Sequence, residues 1–376
     1  MSNEFILVVS WKPTNRNGRM RRPEVWIAKV KVESRLASVK SLNSTYDVRL
    51  LPRSDTPLRL VILSHAGLNV VSKVSQIEPQ IDSIKCSELS EASCFAVCKE
   101  FLVIISGPNL TIITNNKETE AIKSIPIIFD NISFGLSSWA STGKHVDSIG
   151  RRVYLTITKD SNSCTSKYNI LVCYNLTPLL KDHSTDIRPA VINTDIKCFV
   201  CDKSMPWTNS YTVWSINRRG QLYKNDTFLP VVKSINPHTL TDTQVVYNCI
   251  VEADNWLIVS SSRANMNNFY ELICKRTTKQ VDSLSIEQEI PNAECNQMAI
   301  IKTPRYLLAC SICIFDSVNI LLINNAKLYV IIKDLKPIEN GSQLYAVTGF
   351  IIDRKLAMFV VVGNNAAMTQ ISVKLP

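Results

Sequence analysis

The stretch Glu100-Phe101-Leu102-Val103-Ile104-Ile105-Ser106, the triplet Gly107-Pro108-Asn109, and Leu110-Thr111-Ile112-Ile113-Thr114 together decide the fold. Each flanking run is five or six residues of aliphatic, aromatic and β-branched type, too short for a buried helix. The triplet between them is turn chemistry: Gly tolerates unusual φ, Pro fixes its own, and Asn bonds its local backbone. That pattern is a β-hairpin.

The first half of this hairpin recurs. A polar residue, an apolar run and a small residue appear as Glu4–Ser10, Arg59–Ser64, Glu100–Ser106 and Arg152–Thr156. They appear again as Ser210–Ser215, Asn255–Ser260, Arg305–Ser311 and Lys355–Val362. Successive ends lie 54, 42, 50, 59, 45, 51 and 51 residues apart, a repeat of about fifty. Further strand candidates fall between the hairpins, at Cys94–Val97, Ile196–Val200, Val245–Ile250, Met298–Ile301 and Leu344–Ile351. Three to four strands per unit cannot bury both faces of a lone sheet, whereas radial stacking covers every face.

The sequence therefore predicts an all-β chain forming one domain over residues 1–376, a β-propeller of seven blades, alternatively eight. The strand Phe5–Val9 comes before a full blade can be built. It is expected to close the ring beside Thr369–Leu375. The competing reading is a β-sandwich array or two separate β domains. The blades are degenerate, with no Gly-His dipeptide and no Trp followed by Asp. Only 10 of 376 residues are Gly, which leaves little room for glycine turns or phosphate loops.

Chemistry-bearing motifs are sparse. Cys198/Cys201 and Cys310/Cys313 have the Cys-x-x-Cys spacing of zinc knuckles. Both pairs lie in strand-like runs, where residues i and i+3 point to opposite faces and cannot ligate together. Buried thiols are expected, with no metal and no cofactor. His65, His145, His183 and His238 accompany no nucleophile elbow or zincin helix, so no catalytic residue is assigned and a non-enzyme is expected. A deep polar central channel with convergent carboxylates would revive the enzyme reading. The apolar runs are short of a membrane span, so an intracellular protein is expected, the nucleus preferred over the cytoplasm.

The net charge is +10, from 42 basic and 32 acidic residues. Between positions 12 and 35 lie Lys12, Arg16, Arg19, Arg21, Arg22, Lys29, Lys31 and Arg35 against Glu24 and Glu33. That is +6 within one loop and strand, suited to phosphates or to an acidic protein surface. Smaller basic pairs, Arg151/Arg152 and Arg218/Arg219, would form a positive rim if they shared a face. The leading expectation is a scaffold or adaptor whose partners are other protein subunits of a complex. The alternative is direct nucleic-acid binding through residues 12–35.

One stretch carries a family resemblance. Ser138-Trp139-Ala140-Ser141-Thr142-Gly143, Asp147-Ser148-Ile149-Gly150-Arg151, Val153–Thr158 and Tyr174-Asn175-Leu176-Thr177 follow one another. Their order resembles a blade of the N-terminal propeller in the 90-kDa-type subunit of transcription factor IIIC. Ala140-Ser141 stands where that family has Ser-Pro. The resemblance covers about a tenth of the chain and implies a propeller scaffold in a nuclear transcription factor. It transfers no catalytic residue.

Overall fold

The computed structural model describes residues 2–11, 24–38, 45–51, 58–64, 67–74, 79–83, 92–97, 101–106, 109–114, 121–126, 146–149, 151–160, 167–178, 187, 190–203, 212–230, 245–263, 268–286, 295–303, 306–313, 317–336, 343–353, 356–363 and 367–374. Among these residues, 29 strands form seven antiparallel sheets. From the centre outwards the first holds β3 (Thr45–Leu51), β4 (Arg59–Ser64), β5 (Gly67–Ser72) and β6 (Gln80–Ser83). The second holds β7 (Ala92–Val97), β8 (Phe101–Ser106), β9 (Asn109–Thr114) and β10 (Ala121–Pro126). The third holds β11 (Val146–Ile149), β12 (Arg152–Asp160), β13 (Lys167–Asn175) and β14 (Ala190–Thr194). The fourth holds β15 (Ile196–Cys201), β16 (Val213–Asn217), β17 (Leu222–Lys224) and β18 (Thr227–Phe228). The fifth holds β19 (Val245–Ala253), β20 (Trp256–Arg263), β21 (Asn268–Cys274) and β22 (Gln280–Ile286). The sixth holds β23 (Cys295–Lys302), β24 (Leu307–Cys313), β25 (Val318–Asn324) and β26 (Lys327–Leu335). The seventh runs β27 (Leu344–Asp353), β28 (Leu356–Gly363), β29 (Ala367–Lys374), β2 (Glu24–Ser38) and β1 (Ser2–Trp11).

The innermost strands β3, β7, β11, β15, β19, β23 and β27 touch in that order, and β27 touches β3, so the ring closes with seven blades. Seven of the eight sequence repeats are the second strand of a blade. The first copy, Glu4–Ser10, is β1 and belongs to no second strand, which is why eight copies make seven blades.

The core is divided in the same way. One apolar cluster fills each of the seven blade boundaries. The strand Leu60-Val61-Ile62-Leu63 shows how. Leu60 and Ile62 pack against the seventh blade, while Val61 and Leu63 pack against the second. A strand buried on both faces needs a continuous apolar run rather than alternation. Each such side chain contributes about 1.5–3 kcal/mol on burial. The small polar residue that ends the repeat also has a role. Ser64 Oγ accepts from Asn69 Nδ2 at 3.1 Å, and Ser311 Oγ accepts from Tyr270 OH at 2.7 Å.

Two local devices shape the blades. In six of the seven, the pairing of the inner strand slips by one residue near its start, as at Ile196/Cys198 and Tyr247/Cys249. Such bulges raise the twist of a strand. Two of the extra residues meet across a boundary, where Lys197 Nζ donates to Asn248 Oδ1 at 2.9 Å. The turns, for their part, use Asn and Asp in place of Gly. Asn225, Asp254, Asn325 and Asp195 hold φ between 48° and 60°. These short side chains tolerate the left-handed region best after glycine, so the ring is built with few glycines.

Candidate interaction sites on the ring

The sequence expectation for ring closure needs correction. The strand beside β29 is β2, not Phe5–Val9. Register runs from Lys31 opposite Lys374 to Ser38 opposite Ala367. The physical reason is connectivity: an outer strand leads into the inner strand of the next blade, and β2 leads into β3. The N-terminal strand β1 folds back on β2, from Ser2 opposite Glu33 to Trp11 opposite Glu24. Only Ser2, Asn3 and Glu4 pair with β2 residues that also pair with β29. From Phe5 to Trp11 and from Glu24 to Val30, the two strands continue as a ribbon past the last pair with β29.

Lys29 lies opposite Ile6 on this ribbon, Lys31 between Glu4 and Lys374, and Arg35 opposite Gln370. Lys12, Arg16, Arg19, Arg21 and Arg22 lie outside the described residues, in the segment joining β1 to β2. All four histidines also lie outside them.

The smaller basic pairs do not form one rim. Arg151 sits in the turn from the first to the second strand of its blade, where its carbonyl accepts from Leu176 N at 2.9 Å. Arg218 and Arg219 sit in a turn from second to third strand, where Arg218 N donates to Asp195 O at 2.9 Å. Successive turns of an antiparallel meander lie at opposite ends, so the two pairs mark opposite faces. The ribbon leaves on the Arg151 face, because β29 ends there.

A cavity of about 250 Å³ lies in the central channel, lined among others by Asp47, Arg49, Lys203, Glu252, Gln297 and Thr348. Its polar groups tie neighbouring parts together. Asp47 accepts from Val48 N at 2.8 Å and Arg49 Nε at 3.0 Å, and the Arg49 guanidinium lies 5.4 Å from the Phe95 ring centre of the next blade. Gln297 Oε1 accepts from Val347 N at 3.0 Å.

At the Arg151 face of the channel, Lys275 Nζ donates to Glu252 Oε1 at 2.7 Å and to Asp202 Oδ1 at 2.9 Å. Trp214 Nε1 donates to Asp202 Oδ2 at 3.2 Å, and Lys203 N to Glu252 Oε2 at 3.4 Å. Burial pushes the Glu252 carboxyl above the usual range, while the bond and charge of Lys275 pull it back. Sequence reasoning did not single out this group. The two carboxylates described in the channel, Asp47 and Glu252, are each held by a cation rather than converging on a shared point.

The pair Cys198/Cys201 behaves as strand geometry requires. Cys198 packs in the boundary between the fourth and fifth blades, and Cys201 in that between the third and fourth. Among the described residues, no group of three or more potential ligands comes together to hold a metal. Also among them, no helix is long and apolar enough to cross a membrane.

This architecture, seven blades of antiparallel strands with the last closed by an N-terminal strand, is a seven-bladed β-propeller. Solved structures share the fold. The chain is similar to U3-55K at a TM-score of 0.56 and 10% identity, covering 90% of this chain and 98% of that one. It is similar to BBS1N, solved in complex with ARL6DN, at 0.50 and 12%, covering 89% and 93%. It is also similar to the extracellular domain of the hybrid two-component system BT4673 from B. thetaiotaomicron, at 0.51 and 11%, covering 90% of this chain and 40% of that one. No protein-family model matches the sequence, and no curated protein matches it.

Proposed function

We propose that this propeller is a non-catalytic scaffold, a subunit of a larger nuclear assembly concerned with transcription or chromatin. The observation that carries the reading is how the channel's charges are used. Asp47 is held by Arg49 of its own strand, and Glu252 by Lys275 of its own blade and Lys203 N of the neighbouring one, so the described carboxylates are engaged within the protein rather than left for a substrate. The outward turns and the projecting ribbon remain as contact surfaces. The resemblance in the third blade, where Asp147–Ile149 forms most of β11 and Val153–Thr158 lies in β12, supports a place in a polymerase III factor. Affinity purification from native cells should recover other subunits in near-equal amounts. Recovery of the chain alone, as a monomer, overturns the proposal.

A second reading is favoured by the ribbon, whose strand β2 carries Lys29 past the last pair with β29. Under it, Lys12, Arg16, Arg19, Arg21, Arg22, Lys29, Lys31 and Arg35 contact nucleic-acid phosphates with little sequence preference. Replacing Arg19, Arg21 and Arg22 with Ala should lower the salt slope of duplex binding by up to ~3, about 0.9 per lost contact. An unchanged slope excludes it.

A further inference from the structure

We infer that the edge of β1 facing away from β2 accepts a strand from a partner protein, and that this partner strand carries acidic residues. The inference rests on the scaffold reading and adds where and by what chemistry the partner attaches.

The argument starts from how the other blades protect their outer edges. An outermost strand presents unpaired N–H and C=O groups, and proteins blunt such edges by shortness, charge or proline. Here β6 has four residues including Asp82, β14 has five residues, and β18 has two. The strand β10 carries Lys123 and Pro126, β22 carries Asp282, and β26 carries Lys327, Lys333 and Asp334. β1 has such a device only at its start, where Glu4 stands. It is ten residues long, with no charge and no proline from Phe5 to Trp11, and Phe5–Val9 is apolar throughout.

The second observation is position. Among the described residues β1 pairs with β2 alone, and beyond Glu4 the pair runs past the closing sheet. A two-stranded ribbon is marginally stable in water. A continuous apolar run reads as a strand covered on both faces, and a third strand paired to the free edge would satisfy its main-chain N–H and C=O groups.

Charge selects the occupant. Lys29 and Lys31 lie opposite Ile6 and Glu4, and Lys12 follows Trp11, within the segment of net charge +6. A second copy would bring another +6 to the same place, whereas an acidic strand is complementary.

The test uses the full chain and two fluorescent ten-residue peptides, one alternating valine with glutamate, the other valine with lysine. The glutamate peptide should bind at least tenfold tighter, lose affinity with salt, and slow amide exchange in residues 2–11 at least tenfold. Binding should vanish in a variant lacking residues 2–11 and fall at least tenfold in Leu7→Lys, with the melting temperature of each variant checked. No binding, or binding that survives the deletion, overturns the inference. So does concentration-dependent dimerisation abolished by the deletion, which assigns the edge to a second copy. If subunits still co-purify with the deletion variant, the scaffold reading stands and the strand acceptor alone falls.

Discussion

Lys275 crosses a blade boundary to reach Asp202, with Nζ 2.9 Å from Oδ1 and a side chain only 8% exposed. The same ammonium holds Glu252 of its own blade at 2.7 Å. Removing one member of a buried ion group strands the others, at a cost of about 3–5 kcal/mol. Lys275→Met should lower stability by that amount in urea unfolding. The comparison is Lys302→Met, which breaks a 2.6 Å pair with Asp254 whose side chains are 65% and 43% exposed. Exposed pairs contribute about 0–1 kcal/mol. Equal losses for the two variants would contradict the distinction.

Glu252 gives this group a pH signature. Burial raises its carboxyl above the usual range, so the folded state holds the proton more tightly than the unfolded chain. Stability from this residue is therefore gained as pH falls through the folded value, and is complete below the ordinary carboxylate range. Glu252→Gln lacks that gain. The melting temperature of the unaltered protein should rise relative to that of the variant between pH 7 and pH 4. A difference that does not vary with pH excludes this account.

Cys274 should be the most reactive of the described cysteines. It is partly exposed at the end of β21, whereas Cys173, Cys198, Cys201, Cys249, Cys310 and Cys313 are buried. Partial burial pushes its thiol up, but bonds from the Thr277 hydroxyl and amide, the Arg276 amide and the Arg276 charge outweigh it, and the net direction is down. The thiolate is the nucleophile, so alkylation by iodoacetamide at pH 7.5 should label Cys274 first. Cys173 should lag, since burial raises its thiol. Peptide mapping after brief labelling reads the order.

Gly220 stands where no other residue fits. Its φ is +73°, and an added Cβ would lie 2.6 Å from Val246 Cγ1 and 2.7 Å from Tyr247 N. Gly220→Ala strains the backbone and forces the fourth and fifth blades apart, since Gly220 O accepts from Tyr247 N at 3.3 Å. A loss of about 2–4 kcal/mol is expected from the combined conformational and packing terms. A loss below about 1 kcal/mol would show that the blades yield there.

Much of the ring was legible because the second strands are buried on both faces and so stand out as unbroken apolar runs. The five strands expected between the hairpins all proved to be innermost strands, β7, β15, β19, β23 and β27. Closure was not legible in full. Phe5–Val9 is the conspicuous apolar run, whereas the segment that meets β29, Lys31–Ser38, mixes charged, polar and apolar residues, so nothing local marks it as the closing strand. The charged group was invisible for a related reason. Asp202, Glu252 and Lys275 each directly follow a short apolar run, as dozens of surface residues do. Their meeting depends on how one blade stacks on the next, which no local spacing encodes.

The partnership of β2 with β29 has a consequence during synthesis. Ser38 pairs with Ala367, so about 330 residues separate the two. At roughly 5–20 residues per second, the early strand leaves the ribosome on the order of 15–65 s before its mate exists. For that interval Lys31–Ser38 stands without its partner strand, and the six complete blades must hold their order without a clasp. A holding chaperone on the nascent chain, or rapid pairing of β1 with β2 as a temporary cover, would carry the chain through this window.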